Sequence, residues 1–262
     1  MFVQKTSEYS EVFFNINIQG DIVRKYIKQI IFAVIALVLV TASIFEIKDV
    51  SEEVIQYMPV TNKTIVLDAG HGGIDPGALT KDKTTTEKDV NLAITLKIRE
   101  LLDSSGGVVI LTREDDSSLY TEEGNKTIRQ KYNENLKNRR KIIQESNADM
   151  FVSIHLNAFE QSKYYGAQTF YPKGKEDSKQ LSEFIQAELK RVVDSSNNRK
   201  VKPRDDIYLL KENEIPSVLI ECGFLSNEKE AQLLVDEKYQ EKIAWAIYVG
   251  IQKYFTSNQN NI

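Results

Sequence analysis

The sequence predicts a three-layer α/β/α domain around a mixed, largely parallel sheet, preceded by one N-terminal transmembrane or signal segment. Three observations predict it. Three short runs, Thr64-Ile-Val-Leu-Asp-Ala-Gly-His71, Met150-Phe-Val-Ser-Ile-His155 and Pro216-Ser-Val-Leu-Ile-Glu221, are rich in β-branched and apolar residues, as strands covered on both faces are. Segments with a helical apolar period alternate with them along the chain. One apolar stretch, Ile30 to Phe45, precedes everything else and is broken only by Thr41 and Ser43.

The 262 residues are 41% hydrophobic, enough for one ordinary domain with a real core plus extras. A net charge of −4 with both signs interspersed leaves no basic patch, which argues against a nucleic-acid partner. Cys222 is the sole cysteine, so an intramolecular disulfide is excluded. A reduced cytosol and a disulfide-free exported protein fit that count equally.

The chain divides into five segments. Residues 1–26 form an extension whose charge pattern is wrong for an export signal. Translation from Val23, read as a GTG start, would remove most of it; Gln19-Gly20-Asp21 can be encoded with a ribosome-binding AAGGAG just upstream. Residues 27–47 reach the roughly 20 residues of a bilayer span if Lys28 and Glu46 snorkel to the interfaces. The flank of Arg24, Lys25 and Lys28 keeps that side cytoplasmic and puts the remainder outside. An uncleaved anchor is the preferred reading. Val40-Thr-Ala42 resembles a cleavage site, and a removed signal peptide is the alternative. Residues 48–62 read as a polar linker of at most about 55 Å, 63–256 as the globular domain and 257–262 as a tail.

Within the domain, Thr64 to Asp68 is the first strand, followed by the glycine-rich loop Ala69 to Gly77. That loop has neither Gly-Lys-Ser/Thr nor G-x-G-x-x-G spacing, so phosphate binding is not its use. Thr86 is a natural N-cap for a helix whose stripe is Val90, Ala93, Ile94, Ile98 and Leu101. Gly106 to Thr112 is the next strand. Arg113 to Glu134 reads as a polar surface excursion with solvated charge, and Glu134 to Ser146 as a helix with Leu136, Arg140 and Ile143 on one side. After the His155 strand come a strand at Gly166 to Tyr171, a helix at Glu176 to Val193 and a short strand at Asp206 to Leu210. The Glu221 strand and two closing helices, Asn227 to Val235 and Tyr239 to Phe255, complete the order β-α-β-α-β-β-α-β-β-α-α.

His71 and His155 are the only histidines, and both stand where a buried strand ends. Parallel strands that stop together present their last residues along one rim, where open α/β sheets bind ligands. Glu87 lies three residues before Val90 and seven before Ile94, so it falls on the buried face of its helix. The helix dipole favours a first-turn glutamate in any case, but does not explain an inward heading. His71, Glu87 and His155 form a two-histidine, one-glutamate set suited to catalytic Zn2+. No compact H-E-x-x-H helix is present. Glu221 ends its strand between Val218-Leu-Ile and Cys222-Gly-Phe224, a context that raises a carboxyl pKa and suits acid–base catalysis. Cys222 has no free histidine to activate it and reads as a small buried residue.

Four segments carry a family resemblance: Leu67-Asp-Ala-Gly-His-Gly-Gly73, Glu87-Lys88, Ser153-Ile-His-Leu-Asn-Ala158 and Ile220-Glu-Cys-Gly-Phe-Leu-Ser-Asn227. In order and over about residues 63 to 255, they resemble the zinc-dependent N-acetylmuramoyl-L-alanine amidases. The resemblance implies zinc on His71, Glu87 and His155, a catalytic Glu221, and hydrolysis of the amide joining muramic acid to the stem peptide of peptidoglycan. Tyr165-Gly-Ala-Gln-Thr-Phe-Tyr171, Gly223-Phe-Leu-Ser-Asn227 and Tyr239-Gln-Glu-Lys242 are similar to segments of the germination-specific, spore-cortex amidases. That likeness implies an extracytoplasmic enzyme in the forespore intermembrane space, an accessory lipoprotein, and a cooperating deacetylase that completes muramic-δ-lactam. An apolar residue often stands at the Cys222 position in the family. Two alternatives remain open: a vegetative autolysin or cell-separation amidase, against which stands the lack of a wall-binding repeat, and a catalytically inactive wall-binding module, against which stands the presence of all four site residues.

Overall fold

The computed structural model describes residues 24–45, 58–211 and 213–259. Two compact units divide the chain, Met1–Tyr57 and Met58–Ile262. In the first, helix α1 (Arg24–Phe45) has 22 residues, a mean hydropathy of 2.3 and exposed apolar side chains, so it is long and apolar enough to cross a membrane. The proposed Val23 start, the last two residues of the expected 27–47 segment, most of the 48–62 linker and the last residues of the tail lie outside the described residues.

The second unit is a six-stranded sheet: β1 (Thr64–Ala69), β2 (Val108–Leu111), β3 (Met150–Asn157), β4 (Gln168–Pro172), β5 (Lys202–Arg204) and β6 (Ser217–Phe224). The spatial order is β2-β1-β3-β6-β4-β5. Strands β2, β1, β3 and β6 are mutually parallel; β4 runs antiparallel to β6, and β5 parallel to β4. The helices are α2 (Glu87–Ser104), α3 (Ile128–Glu145), α4 (Glu176–Glu188, continued by a π turn over Leu189–Val193), α5 (Glu228–Leu234) and α6 (Glu237–Gln259). The element order and the mixed, largely parallel sheet agree with the sequence expectation.

Side chains alternate across a strand, and here the alternation sorts the core into two layers. Ile65 and Leu67 of β1, Val152 and Ile154 of β3, and Val218 and Ile220 of β6 face one side, where α2, α4 and α6 lay Ile94, Ile98, Ile185, Ile243 and Ile247 against them. Val66, Phe151 and Leu219 face the other, packing with Ile143 of α3 and with Leu209 and Leu210. Val60, inside the expected linker, belongs to the first layer.

Four local expectations are corrected. Residues 206–210 are not a strand; Ile207 to Lys211 form a turn, with amides of Leu210 and Lys211 donating to the Ile207 carbonyl, and Leu209 and Leu210 are buried as a plug on the second layer. The strand lies just upstream as exposed β5, where Pro203 fits an edge. Helix α3 starts six residues earlier than expected, at a Thr127–Gln130 capping box. The side it buries carries Asn135, Arg139 and Ile143, so Arg139 rather than Arg140 points inward and Leu136 is exposed. Arg113 is buried instead of solvated. Thr86 does occupy the N-cap of α2, but its hydroxyl donates to Asp89 and makes no cap bond to the backbone.

Ile247 is fully buried between α6 and the sheet. Truncating it removes three carbons from a packed interior, and such cavities cost about 2–5 kcal/mol. Ile247→Ala is therefore expected to lower stability by about that amount in urea unfolding followed by far-UV circular dichroism.

Candidate metal centre

Strand β1 ends at Ala69, opposite Ile154, whereas β3 and β6 run on to Asn157 and Phe224; His155 and Glu221 therefore lie inside their strands rather than at the ends the sequence suggested, just past the end of β1 and on the second-layer side. His155 shares the parity of Phe151 and Ser153, Glu221 that of Leu219, and the two stand opposite each other in the parallel pairing. His71 lies just past β1. Its backbone is left-handed, φ 64°, a conformation that costs a non-glycine residue about 1–3 kcal/mol. Glu87 is the first residue of α2 and is buried.

These residues converge. Glu87 Oε1 lies 3.1 Å from His71 Nε2 and 3.1 Å from His155 Nδ1. The donor atoms of His71, Glu87 and His155 all lie within 4.8 Å of one another. Backbone amides fix the carboxylate: Leu156 N donates to Oε1 at 2.9 Å and Ala78 N to Oε2 at 2.8 Å. Two glycines leave the room. A Cβ on Gly70 would come 2.3 Å from His155 Cε1, and one on Gly77 2.6 Å from Glu87 Oε2.

Asp75 supports His71. Its Oδ2 is 2.8 Å from His71 Nδ1, which sets the tautomer that leaves Nε2 as the free donor. Burial disfavours charge on the His71 ring, but Asp75 and Glu87 outweigh it and push the ring up to about 10. Burial likewise opposes ionisation of Glu87, and the two imidazoles hold its carboxyl far below the usual carboxylate range. The pocket is thus built to hold positive charge. Two imidazoles and one carboxylate at this spacing fit a zinc ion with an open position for a further ligand.

Glu221 is different. Its Oε2 is buried with no hydrogen-bond partner, and burial pushes the carboxyl up to about 7. A carboxyl poised near neutrality beside a cation site can accept a proton and return it. Cys222, next in the strand, has the opposite parity; it is fully buried in the first layer, and burial raises its thiol. A cleft of about 190 Å³ opens beside the histidines, lined by Asp68, Tyr132, Asn135, Leu136, Arg139 and Leu209 among others.

Sequence reasoning singled out His71, Glu87, His155 and Glu221, and they meet. It missed the groups behind them. Asp68 is fully buried and receives hydrogen bonds from Arg139 Nη1 (2.6 Å), Ser153 Oγ (2.6 Å) and Thr112 Oγ1 (2.7 Å). The signal for Asp68 was a charge inside an apolar strand. Asp75 was legible only as the turn in Asp-Pro-Gly.

A family model described as N-acetylmuramoyl-L-alanine amidase matches residues 65–253. The chain is 43% identical over 199 residues to the germination-specific N-acetylmuramoyl-L-alanine amidase of Bacillus subtilis, covering 76% of this chain and 82% of that protein. Among solved structures it is similar to the CwlD amidase from Clostridioides difficile in complex with the GerS lipoprotein, at 82% identity and a TM-score of 0.74, over 75% of this chain and 100% of the other. It also matches the catalytic domain of CwlV, an N-acetylmuramoyl-L-alanine amidase of Bacillus (Paenibacillus) polymyxa var. colistinus, at 31% identity and a TM-score of 0.61, over 73% and 97% of the two chains.

Burial opposes the Asp68 charge, but Arg139, His155, Ser153 and Thr112 together bring its carboxyl down to about 2. An unfolded aspartate titrates near 3.9. Ionised Asp68 therefore stabilises the fold above about pH 4, and the contribution is lost as pH falls from about 4 to about 2. In acid unfolding curves, Asp68→Asn is expected to be less stable than wild type at neutral pH and to lose that share of the acid slope.

Proposed function

The chain belongs to the N-acetylmuramoyl-L-alanine amidase family and is an amidase of that class; we propose that it works on spore cortex, with zinc held by His71, Glu87 and His155 and with Glu221 as the catalytic acid–base. The observation that carries this reading is the meeting of three metal-type donors within 4.8 Å beside a buried carboxyl with an unpartnered oxygen. An inactive wall-binding module has no use for that pair of features.

The bond cleaved joins the lactyl carbonyl of N-acetylmuramic acid to the amine of L-alanine. His71, Glu87 and His155 would hold zinc, which when bound would supply Lewis acidity and a water whose pKa falls toward about 7. Glu221 takes the proton from the attacking water and delivers it to the departing alanine nitrogen. Its raised pKa serves both halves, since a group near neutrality gives up a proton as readily as it takes one. Asp75 keeps His71 in the tautomer that offers Nε2. Gly70 and Gly77 keep side chains out of the centre.

For the rest of the chain we propose residues 1–26 as an extension, 27–47 as anchor or export segment, 48–62 as linker, 63–256 as the zinc amidase domain and 257–262 as tail. The length and hydropathy of α1, with Arg24, Lys25 and Lys28 at its start, support an extracytoplasmic domain. Likeness to a germination-specific amidase supports the spore as the occasion, and the forespore intermembrane space as the place. The relative solved with a lipoprotein supports an accessory lipoprotein as partner. A deacetylase that follows it and completes muramic-δ-lactam is the second proposed partner.

Two experiments test the reading. His155→Ala leaves two protein ligands; elemental analysis is expected to find roughly one zinc per wild-type chain and little in the variant. Glu221→Gln is expected to keep zinc and fold while the rate of stem-peptide release falls by about 10² to 10⁴; release at the wild-type rate would refute the acid–base role.

A strain lacking the gene is expected to grow and separate normally but to form spores with little muramic-δ-lactam that germinate poorly. Muropeptide analysis of those spores decides the occasion. Normal lactam with chained vegetative cells would assign the enzyme to cell separation instead.

A further inference from the structure

Among the described residues two arginines are buried, Arg113 and Arg139. They come from different elements, one just past β2 and the other from α3, yet both guanidinium groups end on the same loop. The carbonyl of Ala69 accepts from Arg113 Nε at 2.9 Å and from Arg139 Nη1 at 2.7 Å. The next carbonyl, Gly70, accepts from Arg113 Nη2 at 3.1 Å. The third, His71, accepts from Arg139 Nη2. Three consecutive peptide groups, ending at His71, are held by two cations.

Each arginine also reaches a second partner. Arg113 Nη2 bonds the Lys88 carbonyl at 2.7 Å, in the first turn of α2 and next to Glu87. Arg139 bonds Asp68, which in turn holds Ser153, two residues before His155. The Arg113 fork therefore ties the His71 loop to the turn that carries Glu87, and Arg139 ties it to the strand that carries His155.

We propose that Arg113 and Arg139 are positioning residues of the metal centre. They hold His71 in its left-handed turn and fix its distance to Glu87 and His155. The inference rests on the reading of those three residues as metal ligands. A buried ion pair is weak evidence for stability, since apolar replacements of similar size often do as well; a need for aimed donors explains its presence better. Past His71 the loop pairs Gly72 with Asp75 through two backbone hydrogen bonds, but the carbonyls of Ala69, Gly70 and His71 are met by side chains, the two arginines and, at Gly70, Asn91 Nδ2 at 3.2 Å. A planar guanidinium grips two carbonyls in fixed relation, and an ammonium on a flexible stem does not. Charge alone is then insufficient, and lysine cannot replace either arginine.

The test uses the full chain as wild type, Arg113→Lys, Arg139→Lys and Lys253→Met. The last is a control: Lys253 Nζ pairs with the buried Glu188 at 2.6 Å and takes no part in the loop. Zinc dissociation constants are measured by competition with a chromophoric chelator, at a temperature where circular dichroism shows each variant folded. Thermal unfolding of the metal-free proteins is measured beside them. Both arginine variants are expected to bind zinc about 10–100-fold more weakly, with activity recovering at high zinc. Lys253→Met is expected to melt lower with its zinc affinity unchanged. Arg113 bonds only backbone carbonyls and its lysine variant keeps the charge, so its affinity decides the matter if the Arg139 variant does not fold. Wild-type affinity in Arg113→Lys, whatever its melting temperature, would overturn the inference alone. Failure of wild type to bind zinc would overturn the ligand reading with it.

Discussion

The register between β3 and β6 governs the rest of the centre. Val152 pairs with Val218 and Ile154 with Ile220 on the side packed by the long helices, so Ser153 with Leu219 and His155 with Glu221 must face the other way. A slip of one residue would send every side chain to the opposite face. Slipping β6 would turn Val218 and Ile220 out of the packed layer, where burying the isoleucine alone is worth about 1.5–3 kcal/mol, and would turn Glu221 in under the helices of that side. The apolar core therefore sets which polar groups reach the rim. No bond between the polar groups is needed to choose their side of the sheet.

Register alone does not give the two carboxyls different characters. Glu87 and Glu221 stand near the same two histidines, but their surroundings push them apart. Glu87 accepts from two backbone amides and touches both rings, so it stays ionised. Glu221 has a buried oxygen with no donor, and burial moves it toward the neutral form. Divergent environments for paired titratable groups let one site hold a carboxylate that stays ionised beside one that can exchange a proton. The difference arises from position: Glu87 begins a helix beside the Ala78 and Leu156 amides, whereas Glu221 sits mid-strand, its own amides committed to the ladder.

Much of this was legible in the sequence for physical reasons. Strands buried on both faces give continuous apolar runs, so a polar residue at the end of such a run is conspicuous; His71, His155 and Glu221 were found that way. Glu87 was found because its spacing from Val90 and Ile94 is helical. The supporting arginines were not found, because both lie in charged surroundings: Arg113 opens Glu114-Asp-Asp116, and Arg139 precedes Arg140 and Lys141. Composition reads those stretches as solvated, and only tertiary contact shows that one arginine of each enters the core. The Asp206 to Leu210 misreading has another cause. A short apolar run is as consistent with a buried turn as with a strand. The start of α3 carried its own signal in Thr127-Ile-Arg-Gln130, a capping box hidden inside a polar stretch.

The unequal covering of the two faces completes the account of access. Four helices, α2, α4, α5 and α6, cover one side of the sheet, and the apolar layer there is extensive. The other layer is smaller, held by α3 and by the Leu209–Leu210 plug. Asp68, Ser153, His155 and Glu221 all point to that thinner side, and the cleft beside the histidines opens between α3 and the plug. A polymeric substrate cannot enter an enclosed cavity; it has to lie along a surface that brings its scissile bond to the cluster of His71, Glu87 and His155. Sealing both faces would satisfy the apolar strands better but would bury the centre. The domain instead places α2, α4 and α6 where the odd–even alternation of β1, β3 and β6 leaves only apolar side chains, and leaves the polar alternation at the rim partly uncovered. Buried charge on that side is then unavoidable, and Asp68 with Arg139 turns it to use by bracing the loop that carries His71.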